Sequence, residues 1–338
     1  MTWDYGYREE IDTSDSPDGL FIVCEGNFQY GNASLSYYNP TDGECEQEVF
    51  YRANGMKLGD VAQSMTMHGD RGWIVVNNSH VVFAIDPVTF REQGRITGLT
   101  SPRYIHFVND RKAYVSQLWD NRLSIVDPTT FTITGEITVP DMNRETGSTE
   151  QMVQIGDYVY CNCWSYNNKV IRIDTTTDAV DASVTVGQQP QSIAVDRLER
   201  LWVLTDGGYD SQNGTAGVEQ PRLMRLDPLT MTIDLALTLP CETASCLSVS
   251  ADGNRLYWIG GDDVWSMTTS ADRLPVKPFL QGRDTRYYSL TVSPMTGDVY
   301  VADAIDYQQP GVVYRYSPSG KLMDTFNTGV TPGSFCWK

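Results

Sequence analysis

The sequence predicts an all-β chain folded as a seven-bladed β-propeller, closed when its C-terminal strand completes blade 1. Two observations carry this. Strand-like runs end six times in one kind of turn: Asn39-Pro40-Thr41-Asp42, Asp86-Pro87-Val88-Thr89, Asp127-Pro128-Thr129-Thr130, Asp174-Thr175-Thr176-Thr177, Asp227-Pro228-Leu229-Thr230 and Ser317-Pro318-Ser319-Gly320. They recur about every 45 residues, with one copy decayed near Met267-Thr268-Thr269-Ser270, which is the period of a four-stranded propeller blade. Second, the two ends of the chain are complementary. Leu20-Phe21-Ile22-Val23 opens blade 1 as a second strand without a first, and Pro332-Gly333-Ser334-Phe335-Cys336-Trp337 resembles the innermost strand Pro190-Gln191-Ser192-Ile193-Ala194. Closure of this kind limits the exposed sheet edges that all-β proteins must manage.

The turn itself has a local cause. Proline presets φ at the second position, and Asp, Asn or Ser at the first caps the backbone beyond it, as in a type I turn. Alternating runs on either side, such as Val82-Phe83-Ala84-Ile85 before and Thr134 to Val139 after, read as hairpins. Each blade is lettered A to D from the axis outward. In blade 2 the expected strands are Ser64 to His68, Trp73 to Val76, Val81 to Ile85 and Gln93 to Ile96. Those of blade 3 are Tyr104 to Val108, Ala113 to Ser116, Leu123 to Val126 and Thr132 to Val139. Blade 4 runs through Gln151 to Ile155, Tyr158 to Asn162, Val170 to Ile173 and Ala182 to Val186. For blade 5 they are Pro190 to Asp196, Leu201 to Leu204, Leu223 to Leu226 and Ile233 to Leu239. Blade 6 takes Leu247 to Ser250, Leu256 to Ile259, Val264 to Met267 and Val276 to Leu280. Blade 7 takes Ser289 to Val292, Val299 to Ala302, Val312 to Tyr316 and Leu322 to Phe326. Residues 19–338 thus read as one domain, preceded by an acidic tail or linker over 1–18.

Composition narrows the function. The formal net charge is -18, which disfavours phosphate-backbone binding because that needs Lys and Arg. No apolar run approaches membrane-spanning length. Met1 to Asp18 lacks the apolar centre of an export signal, so the expectation is a cytosolic protein or one whose export signal lies outside this chain. The seven cysteines contain no C-x-x-C pair, against a zinc ribbon or thioredoxin-type motif. Cys241 and Cys246 flank a short loop and are candidates for a disulfide. Cys161 and Cys163 share a strand face, and the others read as buried thiols.

In a propeller the A–B and C–D turns share one rim, and the B–C and D–A loops share the other. Short repetitive turns crowd the first rim. Long irregular loops crowd the second, where function usually sits on a rigid scaffold. Those loops are rich in aromatics and amides. Asn27, Phe28, Tyr30, Asn78, His80, Arg103, Tyr104, Trp119, Trp164, Tyr166, Gln189, Tyr209, Arg283, Tyr287 and Tyr307 are the candidate ligand-binding residues. Aromatic faces with many neutral donors and acceptors suit a large ligand bearing amides or hydroxyls. Catalysis is less favoured: His68, His80 and His106 align to different positions of the repeat, and no G-x-S-x-G elbow is present. The long B–C insertion Thr205 to Pro221 places Asp206, Asp210 and Asn213 where they could offer oxygens to Ca²⁺, without EF-hand spacing; a flexible lid fits it better.

The segments Phe21-Ile22-Val23-Cys24-Glu25-Gly26-Asn27-Phe28, Gly31 to Tyr38 and Gly59 to Met65 resemble YncE-like surface propellers of Gram-negative gut bacteria, within them the BtuG-type surface lipoproteins. The resemblance implies a non-enzymatic protein that captures cobalamin or related corrinoids as transported ligand. It implies a TonB-dependent outer-membrane transporter as partner. It also implies a cell-surface, outer-membrane location, through an export signal and lipid anchor outside this chain. Two other classes compete: an interaction or surface-layer propeller with no small-molecule ligand, and a propeller lactonase or hydrolase.

Overall fold

The computed structural model of the chain describes residues 19–210, 215–216, 218–282 and 285–338, with the backbone alone at 209–210 and 215–216. Seven antiparallel sheets form a seven-bladed β-propeller, and among the described residues six of the blades carry four strands ordered A to D. The closing strand is Pro332–Trp337, paired with Leu20–Cys24 from Leu20↔Trp337 to Cys24↔Pro332. Beyond it the Lys338 N–H donates to the Gly19 carbonyl at 2.8 Å. Sequence boundaries agree with the strands to within a few residues in blades 2 to 5 and 7. The expected tail over 1–18 lies outside the described residues.

Blade 6 departs from expectation. It has three strands, Ala244–Val249, Arg255–Gly260 and Asp263–Thr268. The outer strand expected over Val276 to Leu280 is reduced to one bridge, Val264↔Leu280, and Val276 is fully exposed. Pro275 precedes that segment and Pro278 lies within it, and a residue without N–H cannot sustain a ladder. Two other features were not expected: a helix, Val49–Asn54, between blades 1 and 2, and a short ladder, Tyr209–Asp210 with Thr215–Ala216, inside the long insertion.

The core repeats like the sequence. Strand B of every blade places an aromatic at the same register: Phe21, Trp73, Tyr114, Tyr160, Trp202, Tyr257 and Tyr300. All are buried, and burying such a ring contributes roughly 2–3 kcal/mol. Among the described residues the Trp73 indole N–H has no hydrogen-bond partner, whereas other polar tips are satisfied locally or across the junction. Tyr160 donates to the Pro228 carbonyl of the next blade at 3.0 Å, and Trp202 Nε1 to Asp196 at 2.9 Å.

On the plain rim the capping role of the turn aspartates holds. Asp86 accepts from Val88 and Thr89 N–H at 2.9 and 2.8 Å, and Asp227 from Leu229 and Thr230 at 2.9 and 2.8 Å. The turn is one residue longer than a bare type I turn. Phe90, Phe131, Asp178 and Met231 close it with positive φ, and each next strand starts with a bulge. A type I turn followed by a left-handed residue is the hairpin geometry that matches strand twist. The Cys241–Cys246 disulfide is not formed. All described cysteines are free thiols, and Cys246 Sγ instead points at the Tyr288 carbonyl, 3.3 Å away.

Candidate ligand-binding site

The inner strands begin with a defect that recurs. Register slips between Ala62 and Ser64, Pro102 and Ile105, Pro190 and Ser192, Ser245 and Ser248, and Tyr287 and Ser289. A β-bulge inserts a residue and re-aims its side chain. Here it helps direct polar side chains to the inner strand of the neighbouring blade. Arg103 bonds to Gln63 of blade 2 and Glu150 of blade 4. Gln151 accepts from the Ile193 N–H at 3.2 Å, and Gln191 from the Cys246 N–H at 2.9 Å. Tyr288 reaches Glu25 of blade 1. A belt of polar contacts therefore runs from blade 2 round the axis to blade 1.

Glu25 enters this belt because blade 1 offers a glycine. A Cβ on Gly333 would lie 2.2 Å from Glu25 Oε1. The Tyr288 hydroxyl donates to the carboxyl, 3.1 Å from each oxygen. Burial pushes the Glu25 carboxyl up to about 7, against the pull of Arg103 and Tyr288. Arg103 Nε lies 2.9 and 3.1 Å from the Glu150 oxygens, and Ser148 Oγ donates to Glu150 at 2.9 Å. Tyr104 stands beside them, its phenol pushed up to about 12 by burial.

Above the belt opens a funnel of about 760 Å³, formed by the B–C and D–A loops of blades 3 to 6. Arg103 and Gln191 sit at its base, and Trp119, Trp164, Tyr166, Gln189 and Asp206 line it. The Trp164 indole N–H donates to Asp206 at 2.9 Å, and the Arg103 guanidinium lies 5.6 Å from the Trp164 ring. Gly208 N–H holds the other Asp206 oxygen at 2.8 Å, and burial raises this acid above the usual carboxylate range. Trp119 and Tyr166 remain 47% and 58% exposed. Both take positive φ, 60° and 54°, a conformation that is costly for bulky residues. Their loops hold the rings at the mouth.

Five nominated residues meet in this funnel: Arg103, Trp119, Trp164, Tyr166 and Gln189. Tyr104 lies on the axis beneath it. A second group stands across the ring, on blades 7 and 1. There Phe28 and Tyr30 are exposed, Asn27 donates to the Tyr307 carbonyl, and the Tyr307 ring meets Tyr288 edge-on at 5.6 Å. On blade 2, Asn78 is tied to Asp60 at 2.5 Å and His80 Nδ1 accepts from the Ser101 N–H at 2.9 Å. Tyr287 packs into the apolar cluster between blades 6 and 7, its hydroxyl 3.5 Å from that of Tyr316. Arg283 and Asn213, and the side chains of Tyr209 and Asp210, lie outside the described residues. Sequence reading missed the axial pair Glu25 and Glu150. The clue was available in the inner strands, where the residue after the opening Pro or Ala (Gln63, Arg103, Gln191 and Gly333) is the one the belt uses. Among the described residues no group of three His, Cys, Asp or Glu is placed to hold a metal.

A domain family of unknown function, DUF5074, matches residues 18–328. The chain belongs to this family. No curated protein matches the sequence. Solved propellers share the architecture of this DUF5074 chain. A quinonprotein alcohol dehydrogenase-like protein from Bacteroides thetaiotaomicron is 12% identical, with a TM-score of 0.69 over 95% of this chain and 78% of its own. The periplasmic gluconolactonase of Pseudomonas aeruginosa is 15% identical, with a TM-score of 0.67 over 93% and 98%. Hydrazine synthase of Kuenenia stuttgartiensis is 16% identical, with a TM-score of 0.63 over 81% and 89%. At these identities the likeness is one of fold.

Proposed function

We propose that this DUF5074 propeller is a binding protein for a broad, amide-bearing small molecule, and that the ligand is cobalamin or a related corrinoid. The observation that carries the reading is the open aromatic funnel on the irregular rim. Its volume suits a ligand-sized occupant. Trp119, Trp164 and Tyr166 offer flat apolar faces for a macrocycle edge, while Gln189 and the floor residues Arg103 and Gln191 offer amide and guanidinium groups. A rigid ring holding these groups lowers the ordering cost of binding. The sequence resemblance supplies the rest of the proposal: a cell-surface location through a lipid anchor, and delivery of the corrinoid to a TonB-dependent outer-membrane transporter.

The test is a cyanocobalamin titration followed by tryptophan fluorescence and corrin absorbance. Saturable quenching at micromolar ligand or below is expected. Absence of binding at that concentration removes the corrinoid, and turnover of a lactone panel in its place would move the assignment to a hydrolase.

A further inference from the structure

The axial belt holds one carboxylate more than it can pair. Glu25 and Glu150 face a single guanidinium, that of Arg103. This cation is already engaged: Glu150 takes its Nε at 2.9 Å, Gln63 takes Nη1, and Trp164 lies over its plane. Among the described residues Glu25 forms no ion pair. The other groups facing it are neutral at pH 7. These are the Tyr288 phenol and the Cys246 thiol, each pushed up by burial, the thiol to about 11. Buried carboxylates without a cation either take up a proton or bind a positive charge.

The site is also reachable. Glu25, Arg103, Tyr104 and Tyr288 all keep partial solvent access, and Arg103 and Gln191 belong both to the belt and to the funnel floor. Gly333 gives Glu25 its place on the axis, and the edge-to-face pair Tyr288–Tyr307 stands beside it with ring centroids 5.6 Å apart. A carboxylate next to aromatic rings recognises an organic ammonium through a charge-assisted hydrogen bond and cation–π attraction. Calcium is a poor fit, since it needs six or more oxygens and one carboxylate with hydroxyls falls short. We propose that Glu25, with Tyr288 and Tyr307, forms an axial subsite for the ammonium group of a primary amine, entered through the funnel. This goes beyond the corrinoid reading and stands without it.

Binding at this subsite ionises Glu25. The carboxyl proton leaves for solvent as the ammonium arrives. The experiment is a benzylamine titration in unbuffered salt, with calorimetry for affinity and a pH-stat for protons. Three variants accompany the wild type: Glu25→Gln, which keeps an acceptor for Tyr288; Tyr288→Phe; and Asp86→Ala on the plain rim. Saturable binding with proton release is expected. It should weaken about tenfold or more in Glu25→Gln, less in Tyr288→Phe, and persist in Asp86→Ala. Equal affinity in Glu25→Gln, binding without proton release, or no binding at about 10 mM amine (an affinity at the weak end of specific recognition) overturns the proposal. Cyanocobalamin binding by the wild type beside absent amine binding by the wild type would remove this subsite and leave the corrinoid reading intact.

Discussion

The two rims of this propeller are made by one repeat, yet they treat their carboxylates in opposite ways. On the plain rim the Thr129 hydroxyl holds Asp127 below the usual carboxylate range, the Thr176 hydroxyl holds Asp174, and the Thr230 N–H holds Asp227. These acids are consumed by the turns they build. On the ornamented side burial pushes Glu25 up to about 7 and raises Asp206. For these acids the cost of burial outweighs the compensation that their neighbours supply. Groups spent on local structure are stable and silent. Groups held at a cost beside an open funnel are available to a ligand, and that asymmetry supports placing the proposed ligand site on this rim.

The comparison can be broken or sharpened by substitution. The largest effect belongs to the shared scaffold: removing Pro332–Trp337 strips blade 1 of its inner strand and exposes the edge of Leu20–Cys24. Loss of a single cooperative melt in circular dichroism is expected, whatever happens at either rim. Next comes the buried aromatic register. Trp202→Ala opens a cavity between blades and should cost about 3–5 kcal/mol by denaturant titration.

Glu25→Gln tests the ornamented side. An acid whose folded value is raised from 4.5 to about 7 costs nothing below pH 4.5 and its full penalty above pH 7, so native stability falls as pH rises through that window. Glutamine removes the penalty. The variant should therefore be more stable than the wild type by about 2 kcal/mol at pH 8, after discounting for partial solvent access, and equal to it at pH 4. Asp86→Ala tests the plain rim. It removes two N–H acceptors of a turn and should cost about 1 kcal/mol without altering any ligand. Smallest in stability is Trp119→Ala. Its ring is 47% exposed, so a change within about 0.5 kcal/mol is expected, set against a large loss of ligand affinity.

The fold was legible because a propeller writes the same sentence seven times. The turns at Asp86, Asp127, Asp174 and Asp227 mark the strand ends, and the likeness of Pro332-Gly333-Ser334 to Pro190-Gln191-Ser192 foretold closure. Blade 6 was misread where Val276 to Leu280 has the hydrophobicity of a strand, but Pro275 just before it and Pro278 within it forbid one. The site was legible in part. Loop aromatics at Trp119, Trp164 and Tyr166 do share one cavity, because each follows strand B of its own blade. Tyr287 looks the same in sequence, but it opens an inner strand and turns into the gap between blades 6 and 7. Glu25 was hidden because its position depends on Gly333, more than 300 residues away in sequence, and a contact of that kind leaves no local pattern.

The most direct test of the division between rims is a cyanocobalamin fluorescence titration of three proteins side by side: wild type, the double variant Trp119→Ala/Tyr166→Ala, and Asp86→Ala. Saturable binding by wild type and Asp86→Ala, with affinity lost in the double variant, is the predicted result. Undiminished binding by the double variant, or no binding by any of the three, would contradict the assignment of the funnel as the ligand site.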